Sequence, residues 1–257
     1  MLELVDTHAH IYDEAFNEDF EDVLARARDA GVSACIMPGI DSGCQDALEA
    51  VAGEYAGFAY PCVGLHPTSV GNDWREELDS VKRRLACGKY VAVGEIGLDE
   101  YWSKDFVKEQ MRVLEEQIVM ASKAGLPVII HLREATEDFL KVLEDLRGVD
   151  FFGTMHAWSG SYEMYRRLLG YADFRFGIGG VVTYKNAGVA VALEKMSLDD
   201  IVLETDCPWL TPAPFRGRRN EPSYVRFVAE KVALIKGVTL EEVASATASS
   251  ARRLFKI

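Results

Sequence analysis

The fold of this chain follows from Leu126-Pro-Val-Ile-Ile-His131, a short apolar stretch that ends in a histidine. Its length and its β-branched residues are typical of a buried strand. A histidine that closes such a strand needs a partner, because a buried polar group without one costs free energy. The same pattern, a short apolar run followed by a polar residue, recurs at several places along the chain.

All five histidines lie at the ends of short apolar runs or just after them, and two further runs end in carboxylates. These polar residues are His8, His10, His66, Glu95, His131, His156 and Asp206. Imidazoles and carboxylates are common protein ligands of divalent metal ions. If the ends of these strands meet in one mouth, the sequence predicts a metal site there.

Longer amphipathic patterns separate the strand-like runs. Strands are predicted at 4–10, 34–40, 59–66, 90–97, 126–132, 150–157, 174–179 and 201–206. Helices are predicted near 16–30, 43–55, 74–86, 103–124, 134–147, 161–170, 187–196, 222–236 and 239–254. We expect Ser161 and Thr239 to cap helices, and Gly31, Gly125 and Gly237 to end them.

Eight strands that alternate with eight or nine helices favour an α/β fold, a (β/α)8 TIM-type barrel formed as a single domain by residues 1–257. This chain length is usual for that fold. The alternative is an open doubly wound sheet. The one long connection follows the eighth strand at 208–222, and a loop of this length at a catalytic face is usually functional.

The composition excludes some classes of protein. No run approaches about 18 apolar residues, so no membrane helix is expected. The five cysteines are scattered and odd in number, which favours reduced thiols and a cytoplasmic location. The net charge of −13 argues against a protein that coats duplex DNA by charge alone. A local basic loop and bound metal ions can still reverse the sign of the charge at one site.

The polar residues at the strand ends are expected to converge, because all strands of a parallel barrel end at one face. Residues i and i+2 of a strand share a side, so His8 and His10 should project together. The alternative, that each residue is only a hydrogen-bonded polar group, explains the residues singly but not together. Two divalent metal ions bridged by a carboxylate would use the whole set. The predicted ligands are His8, His10, Glu95, His131, His156 and Asp206.

Seven motifs at these positions occur in a fixed order along the chain. They are Asp6-Thr-His-Ala-His10, Gly64-Leu-His-Pro67, Gly94-Glu-Ile-Gly-Leu-Asp99, Ile130-His-Leu-Arg133, His156-Ala-Trp-Ser-Gly160, Glu204-Thr-Asp-Cys-Pro-Trp-Leu210 and Arg216-Gly-Arg-Arg-Asn-Glu-Pro222. From residue 4 to about residue 254, the chain resembles the TatD-type metal-dependent deoxyribonucleases, within the amidohydrolase-like barrels. The resemblance implies that the substrate is DNA and that the reaction is hydrolysis of a phosphodiester.

The resemblance also implies how two divalent metal ions are held. One ion would be bound by His8, His10 and Asp206. The second ion would be bound by His131 and His156, and Glu95 would bridge the two ions. Mixed imidazole and carboxylate ligands suit Zn²⁺ or Mn²⁺, whereas Mg²⁺ prefers more oxygen ligands, so the identity of the ion stays open.

Three residues are expected to take part in catalysis: Asp206, Glu95 and His66. Asp206 can accept a proton from the attacking water and is therefore the expected general base. The resemblance implies that His66 faces the substrate, in phosphate contact or proton transfer. Alternatively, His66 only stabilises the turn before Pro67.

Four arginines are candidates for phosphate binding, because the guanidinium group matches the geometry of phosphate oxygens. Arg133 directly follows the strand that ends near His131, and it forms either a phosphate contact or a structural salt bridge. Arg216, Arg218 and Arg219 lie in the long loop after the eighth strand. The alternative for that loop is an ordinary solvated basic segment.

Aromatic residues near the predicted mouth offer faces on which unpaired bases stack. They are Tyr101, Trp102, Trp158 and Trp209, although core packing is the alternative for each. Together with a buried metal pair, they favour a substrate in which the end of a single nucleic-acid strand enters a pocket. We therefore expect a 3′–5′ exonuclease that acts on single-stranded DNA, where the choice of DNA is what the resemblance implies. One alternative is a metal-dependent hydrolase of another ester or amide, such as a phosphotriesterase-like, lactonase or aminoacyl-ester activity. The other is a metal-stabilised binding module.

Overall fold

Eight parallel strands form the centre of the protein in a computed structural model that describes residues 2–86 and 88–257. They are Leu4–Asp6 (β1), Val32–Met37 (β2), Ala59–Val63 (β3), Ala92–Asp99 (β4), Val128–Arg133 (β5), Phe152–Met155 (β6), Asp173–Ile178 (β7) and Ile201–Leu203 (β8). Each strand pairs with the next strand of the chain, so the order in the sheet is the order in the sequence.

The first and last strands meet and close the sheet. The backbone N–H of Thr7 donates to the carbonyl of Leu203 at 2.9 Å, and that of Asp206 donates to the carbonyl of His8 at 2.8 Å. Ala9 forms a parallel bridge with Cys207. An open doubly wound sheet would leave these two edges apart, so the predicted TIM-type barrel is confirmed and the open sheet is excluded.

Helices connect the strands on the outside of the barrel. They are Phe20–Asp29 (α1), Ser42–Glu54 (α2), Trp74–Leu85 (α3), Val107–Ala124 (α4), Thr136–Asp145 (α5), Tyr162–Leu168 (α6), Val189–Lys195 (α7), Val225–Lys236 (α8) and Leu240–Phe255 (α9). The predicted caps form: Ser161 accepts from the N–H of Met164, and Thr239 makes a capping box with Glu242. Left-handed glycines end α4 and α8, at Gly125 and Gly237.

The predicted strands 4–10 and 201–206 are too long. β1 stops at Asp6 and β8 at Leu203, because the Asp6 carboxylate replaces the regular ladder there. It accepts from the N–H of Thr205 at 2.9 Å, from the Thr205 hydroxyl at 2.6 Å and from the N–H of His8 at 3.3 Å. Side-chain bonds of this kind compete with strand pairing. They fix the two chain segments that carry three of the predicted ligands.

Two predicted helices begin later in the structure. The segment predicted as helix from 16 starts as α1 at Phe20, after a short 3-10 turn at Glu14–Phe16 that Asp13 caps. The segment predicted from 103 starts as α4 only at Val107. In both cases the extra residues form turns at the mouth of the barrel.

Small side chains from several strands form a cluster together with α9. It contains Val5, Ala34, Ile36, Cys62, Ala92, Ile129, Val202, Ala248, Ala251, Leu254 and Phe255. Ile129 and His131 lie two residues apart in β5 and share a side of the sheet, so this cluster lies on the same face as the predicted ligand. The larger core cluster packs the helices against the strands.

Four cysteines are free thiols: Cys35, Cys44, Cys62 and Cys207. Cys87 lies outside the described residues. Across the part of the chain that is described, no helix combines the length and the hydropathy needed to cross a bilayer.

Candidate metal centre

The two histidines after β1 meet one oxygen of Glu95 from β4. The Nε2 atom of His8 lies 3.1 Å from Nε2 of His10 and 3.1 Å from Oε2 of Glu95. Asp206 approaches from the segment after β8, and its Oδ1 lies 3.6 Å from both Nε2 atoms. His8 and His10 therefore project to the same side, as predicted. Both lie beyond the end of β1, but Ala9 between them is held in an extended bridge, which keeps the alternation of a strand.

The other oxygen of Glu95 faces a second set of imidazoles. Its Oε1 lies 3.0 Å from Nδ1 of His131, 3.7 Å from Nε2 of His156 and 3.4 Å from Nε2 of His66. Asp206 Oδ1 is 3.9 Å from Nε2 of His156. Glu95 thus lies between two groups of ligating atoms and presents one oxygen to each. All six predicted ligands come together at one buried point.

The donor atoms fit a divalent cation. Ligands about 2.1 Å from one ion lie roughly 3.0–3.5 Å from each other, which is close to the separations around Glu95. Nε2 of His8 and Nε2 of His10 can share only one hydrogen between them, and the buried Nδ1 of His8 has no hydrogen-bond partner among the described residues. A cation would satisfy the converging lone pairs together. Four imidazoles and two carboxylates suit borderline ions such as Zn²⁺ or Mn²⁺.

His66 lies as close to Glu95 as the predicted ligands do. With Glu95 and His131 it forms one of the groups of side chains that are able to bind a metal ion. Its Nδ1 contacts the Thr68 hydroxyl at 2.7 Å and accepts from the N–H of Thr68 at 3.1 Å. Thr68 therefore fixes the Nδ1 side of the ring, and Nε2 is directed at the centre. This geometry suits both a metal ligand and a group that contacts substrate.

Burial and charge act in opposite directions on these groups. Burial raises the pKa of Glu95. The histidines around it lower this pKa by a larger amount, so the net pKa is well below the ordinary value. Asp206 behaves in the same way, chiefly through His156. Burial lowers the pKa of His156, but Glu204, Glu95 and Asp206 raise it to about 10. Burial also lowers the pKa of His8, so the environment favours the charged form of His156 and the neutral form of His8.

Three polar side chains that the sequence did not predict hold the imidazoles from outside. Asp99, at the end of β4, lies with Oδ2 2.9 Å from Nε2 of His131. Oε1 of Glu204 lies 2.9 Å from Nδ1 of His156. The hydroxyl of Tyr12 lies 2.8 Å from Nδ1 of His10 and donates to the carbonyl of Pro38 at 2.7 Å.

These contacts define which imidazole nitrogen faces the centre. Because the Tyr12 hydrogen goes to Pro38, its oxygen accepts from Nδ1 of His10, and the Nε2 lone pair points inward. Such outer partners commonly fix the tautomer of a metal-binding histidine. Asp99 and Glu204 are part of motifs quoted above, and a buried acid next to a strand is the signal that would have identified them.

The Glu204 side chain occupies space that Gly177 of β7 leaves open. A Cβ atom at Gly177 would lie 2.0 Å from Oε2 of Glu204. Glu204 is almost fully buried, and its Oε1 also accepts from the N–H of Ala157 at 2.6 Å. The position of His156 therefore depends on a residue without a side chain in the neighbouring strand.

The predicted phosphate-binding arginines separate into two groups. Arg219 is paired with Asp19 through bonds of 2.8 and 2.7 Å, so its charge is already neutralised by a carboxylate. Arg216 and Arg218 are exposed and have no ion-pair partner among the described residues, and Arg216 lies over the Tyr184 ring. Arg133 is also exposed, and its guanidinium lies 3.7 Å from the centre of the Tyr101 ring. The salt bridge considered for Arg133 is absent from the described residues.

Three of the four aromatic residues face solvent near the centre. Trp209 is half exposed, and its ring meets that of His10 edge to face at 5.0 Å. Tyr101 and Trp102 are exposed after β4. Trp158 is buried against Phe176, so packing is its role, and it offers no face to a base.

Comparisons with known proteins agree with this arrangement. Residues 5–256 match the profile of a protein family described as TatD related DNase. A Bacillus subtilis protein named uncharacterized metal-dependent hydrolase YabD is 41% identical over 255 residues, which cover 99% of each chain. An Erwinia tasmaniensis protein named 3′-5′ ssDNA/RNA exonuclease TatD is 31% identical, over 99% of this chain and 100% of that protein.

A solved structure shows the same fold over the same length. The crystal structure of YJJV, a TatD homolog from Escherichia coli, matches this chain with a TM-score of 0.88 and 30% sequence identity. The match covers 99% of this chain and 98% of that chain. The similarity of fold therefore extends over the whole barrel.

Proposed function

This chain belongs to the TatD related DNase family of metal-dependent hydrolases, and from that premise we propose that it removes nucleotides from the 3′ end of single-stranded DNA. The observation that carries the proposal is the position of Glu95 between two groups of ligating atoms. A carboxylate with one oxygen for each group suits a bridge between two divalent ions. The Erwinia relative, which is named for this activity, supports the choice of substrate.

In this proposal the six ligands divide as the resemblance implies. His8, His10 and Asp206 would hold one ion, His131 and His156 would hold the other, and Glu95 would contribute to both. Bound divalent ions would neutralise the phosphate oxygens and activate the attacking water. Zn²⁺, Mn²⁺ and Mg²⁺ are the candidate ions, and the mixed ligands favour the first two.

The protein side chains supply proton transfer and substrate contact. Asp206 is the proposed general base, because its carboxylate Oδ1 lies 3.6 Å from Nε2 of both His8 and His10 and a carboxylate at the centre is able to accept a proton from the attacking water. His66 is proposed to contact the substrate phosphate through Nε2, which lies 3.4 Å from Glu95. Arg133, Arg216 and Arg218 supply local positive charge that attracts the phosphates of the strand. This local charge is needed because the chain as a whole has a net charge of −13, which repels an anionic strand.

The test uses metal-stripped protein and a single-stranded oligonucleotide labelled at its 5′ end. Mg²⁺, Mn²⁺ and Zn²⁺ are restored separately. We expect a ladder of progressively shorter labelled products, whereas cleavage from the 5′ end would release the label at once in a short product. Intact substrate with all three ions would contradict the proposal.

Two variants connect that activity to the candidate centre. His131→Ala and Asp206→Asn should each abolish hydrolysis while the protein stays folded, as judged by circular dichroism. Activity that survives both substitutions would place the reaction elsewhere. A cytoplasmic location belongs to the same proposal and rests on the scattered free cysteines.

A further inference from the structure

A pocket of about 300 Å³ opens beside the candidate metal centre. Its lining includes Pro67, Thr68, Gly71, Trp102, Phe106 and Gln110. Two contacts join it to the centre. Asp99 lines the pocket and contacts His131 at 2.9 Å, and Thr68 contacts His66 at 2.7 Å. A molecule in this pocket would therefore lie directly next to a group bound at the metal ions.

One wall of the pocket is an exposed aromatic side chain. Trp102 is 70% exposed, so the face of its ring is accessible to a ligand. The guanidinium of Arg133 lies 5.5 Å from the centre of the Trp102 ring and covers the neighbouring Tyr101 ring. The wall thus combines a flat apolar face with a positive charge that has no carboxylate partner among the described residues.

The polar groups around the pocket are already engaged. The side chain of Gln110 accepts from the N–H of Asp99 and donates to its carbonyl. Oδ1 of Asp99 accepts from the N–H groups of Tyr101 and Trp102. The Ser69 hydroxyl donates to Asp41. Few free groups remain to read the edge of a ligand, so the pocket recognises a flat shape rather than a hydrogen-bonding pattern.

We propose that this pocket binds one unpaired nucleobase adjacent to the scissile phosphate, with Trp102 stacked on the base and Arg133 placed against its phosphate. The inference rests on the proposed function and adds to it a subsite and a lack of base preference. A nucleotide is the ligand that combines a flat aromatic ring with an anion, which matches Trp102 and Arg133. The pocket volume is at the small end of ligand sites, which suits one base.

The experiment combines a pocket variant with substrates that lack one base. Metal-loaded parent protein, Trp102→Ala and Trp102→Phe are compared on oligonucleotides that carry a single abasic residue at successive positions from the 3′ end. On an intact strand, Trp102→Ala should raise KM roughly tenfold, because stacking on one aromatic side chain contributes an effect of this order. Trp102→Phe should retain most of the affinity.

The position of the abasic residue identifies the base that occupies the pocket. When the missing base is the one that stacks on Trp102, the penalty of Trp102→Ala should disappear, because the two changes remove the same contact. On intact strands that carry A, C, G or T at that position, Trp102→Ala should raise KM by similar factors. Leu234→Ala is the control, since Leu234 is exposed near the far end of α8.

Two further readouts separate this inference from the proposed function. A fully abasic deoxyribose-phosphate oligomer contains phosphodiesters but no aromatic ring, so the ratio of its hydrolysis by Trp102→Ala to that by the parent should be close to one. Quenching of tryptophan fluorescence reports oligonucleotide binding even without turnover. A parent that hydrolyses neither substrate would contradict the proposed function alone. If the increase in KM caused by Trp102→Ala does not depend on the position of the abasic residue, or is equally large on the base-free substrate, the proposal that this pocket binds a base is wrong.

Discussion

At the scale of single residues, three of the four predicted imidazole ligands are contacted at both ring nitrogens. Tyr12, Asp99 and Glu204 contact the outer nitrogens of His10, His131 and His156. Burial lowers the pKa of His131, but the hydrogen bonds to Asp99 and Glu95 outweigh it, and the net pKa is raised. The outer carboxylate therefore increases the basicity of the ring and fixes its direction.

Replacing Asp99 tests this outer contact. We expect Asp99→Asn to lower metal affinity by about 10- to 100-fold, which is typical for outer partners of metal-binding histidines. The fold should be retained, because the amide can replace the carboxylate in the turn at Tyr101. Calorimetric titration with Mn²⁺ or Zn²⁺ measures the change.

The matched control is Glu134→Gln, which removes an exposed acid from the segment just after β5. It should leave metal affinity unchanged. Equal losses in both variants would show that general charge, rather than the contact with His131, accounts for the effect.

Sequence could predict that six polar residues converge, but it could not predict the residues behind them. The six residues belong to a repeated pattern, a polar residue at or just after an apolar strand, and parallel strands direct them to one face. Tyr12 and Asp99 reach their histidines through turns whose shape depends on neighbouring segments. Trp158 has no pattern that distinguishes a buried ring from one at the mouth, and the structure supports the packing alternative for it.

At the scale of elements, the loop after β8 is both anchored and exposed. Arg219 pairs with Asp19, Arg26 pairs with Glu221 at 2.7 Å, and the side chain of Asn220 donates to the carbonyl of Thr205 at 2.7 Å. These contacts fix both the loop and the segment that carries Asp206. Arg216 and Arg218 precede these anchors in the loop, are exposed and have no ion-pair partner among the described residues.

Neutralising the two free arginines should affect binding of a strand. We expect Arg216→Gln/Arg218→Gln to weaken oligonucleotide binding and to reduce the slope of log K against log[salt] by about 1.4, since each phosphate contact on a single strand contributes about 0.7. Fluorescence titrations at several salt concentrations give the slope.

Arg219→Gln is the comparison within the same loop. Because its charge is already paired, the salt slope should stay nearly constant while thermal stability falls slightly. A slope change as large as that of the double variant would assign Arg219 to substrate binding instead.

The capping box at the start of α9 gives a prediction that does not involve the metal centre. Thr239→Ala removes the hydroxyl that accepts from the N–H of Glu242 at 3.2 Å. The free energy of unfolding should fall by about 1 kcal/mol. Urea denaturation measures this loss, and hydrolysis at saturating metal should not change.

The elements themselves were predicted more accurately than their bounds. The existence and order of the strands follow from apolar runs, and every predicted strand overlaps an observed one. The ends of β1 and β8 were misplaced because the Asp6 carboxylate takes over the pairing, and this requires the two segments to be adjacent in space. α1 and α4 begin late because polar turns precede them.

At the scale of the whole molecule, the candidate centre joins segments from distant parts of the chain. His8 and Asp206 lie almost two hundred residues apart, yet both contact Glu95 or each other within 4 Å. An ion bound here would connect β1, β4, β5, β6 and β8 at one end of the barrel. Because an unfolded chain has no such site, metal binding should stabilise the fold.

Metal removal tests that coupling. At a free metal concentration of one hundred times Kd, binding should add about 2.7 kcal/mol to the free energy of unfolding. For a chain of this size, Tm should rise by about 5–10 °C. Differential scanning calorimetry of stripped and reloaded protein measures the shift, and His131→Ala, which removes a proposed ligand of one of the two ions, should reduce it.

The open space at Gly177 has a consequence for how this barrel can change. A side chain at position 177 would displace the Glu204 carboxylate, so the two positions are coupled through the wall between β7 and β8. In a library randomised at position 177, selection for hydrolysis should return glycine alone. If position 204 is randomised as well, larger residues at 177 should appear only with shorter ones at 204. Position 177 therefore constrains which residues are possible at the site, although glycine has no side chain that takes part in the chemistry.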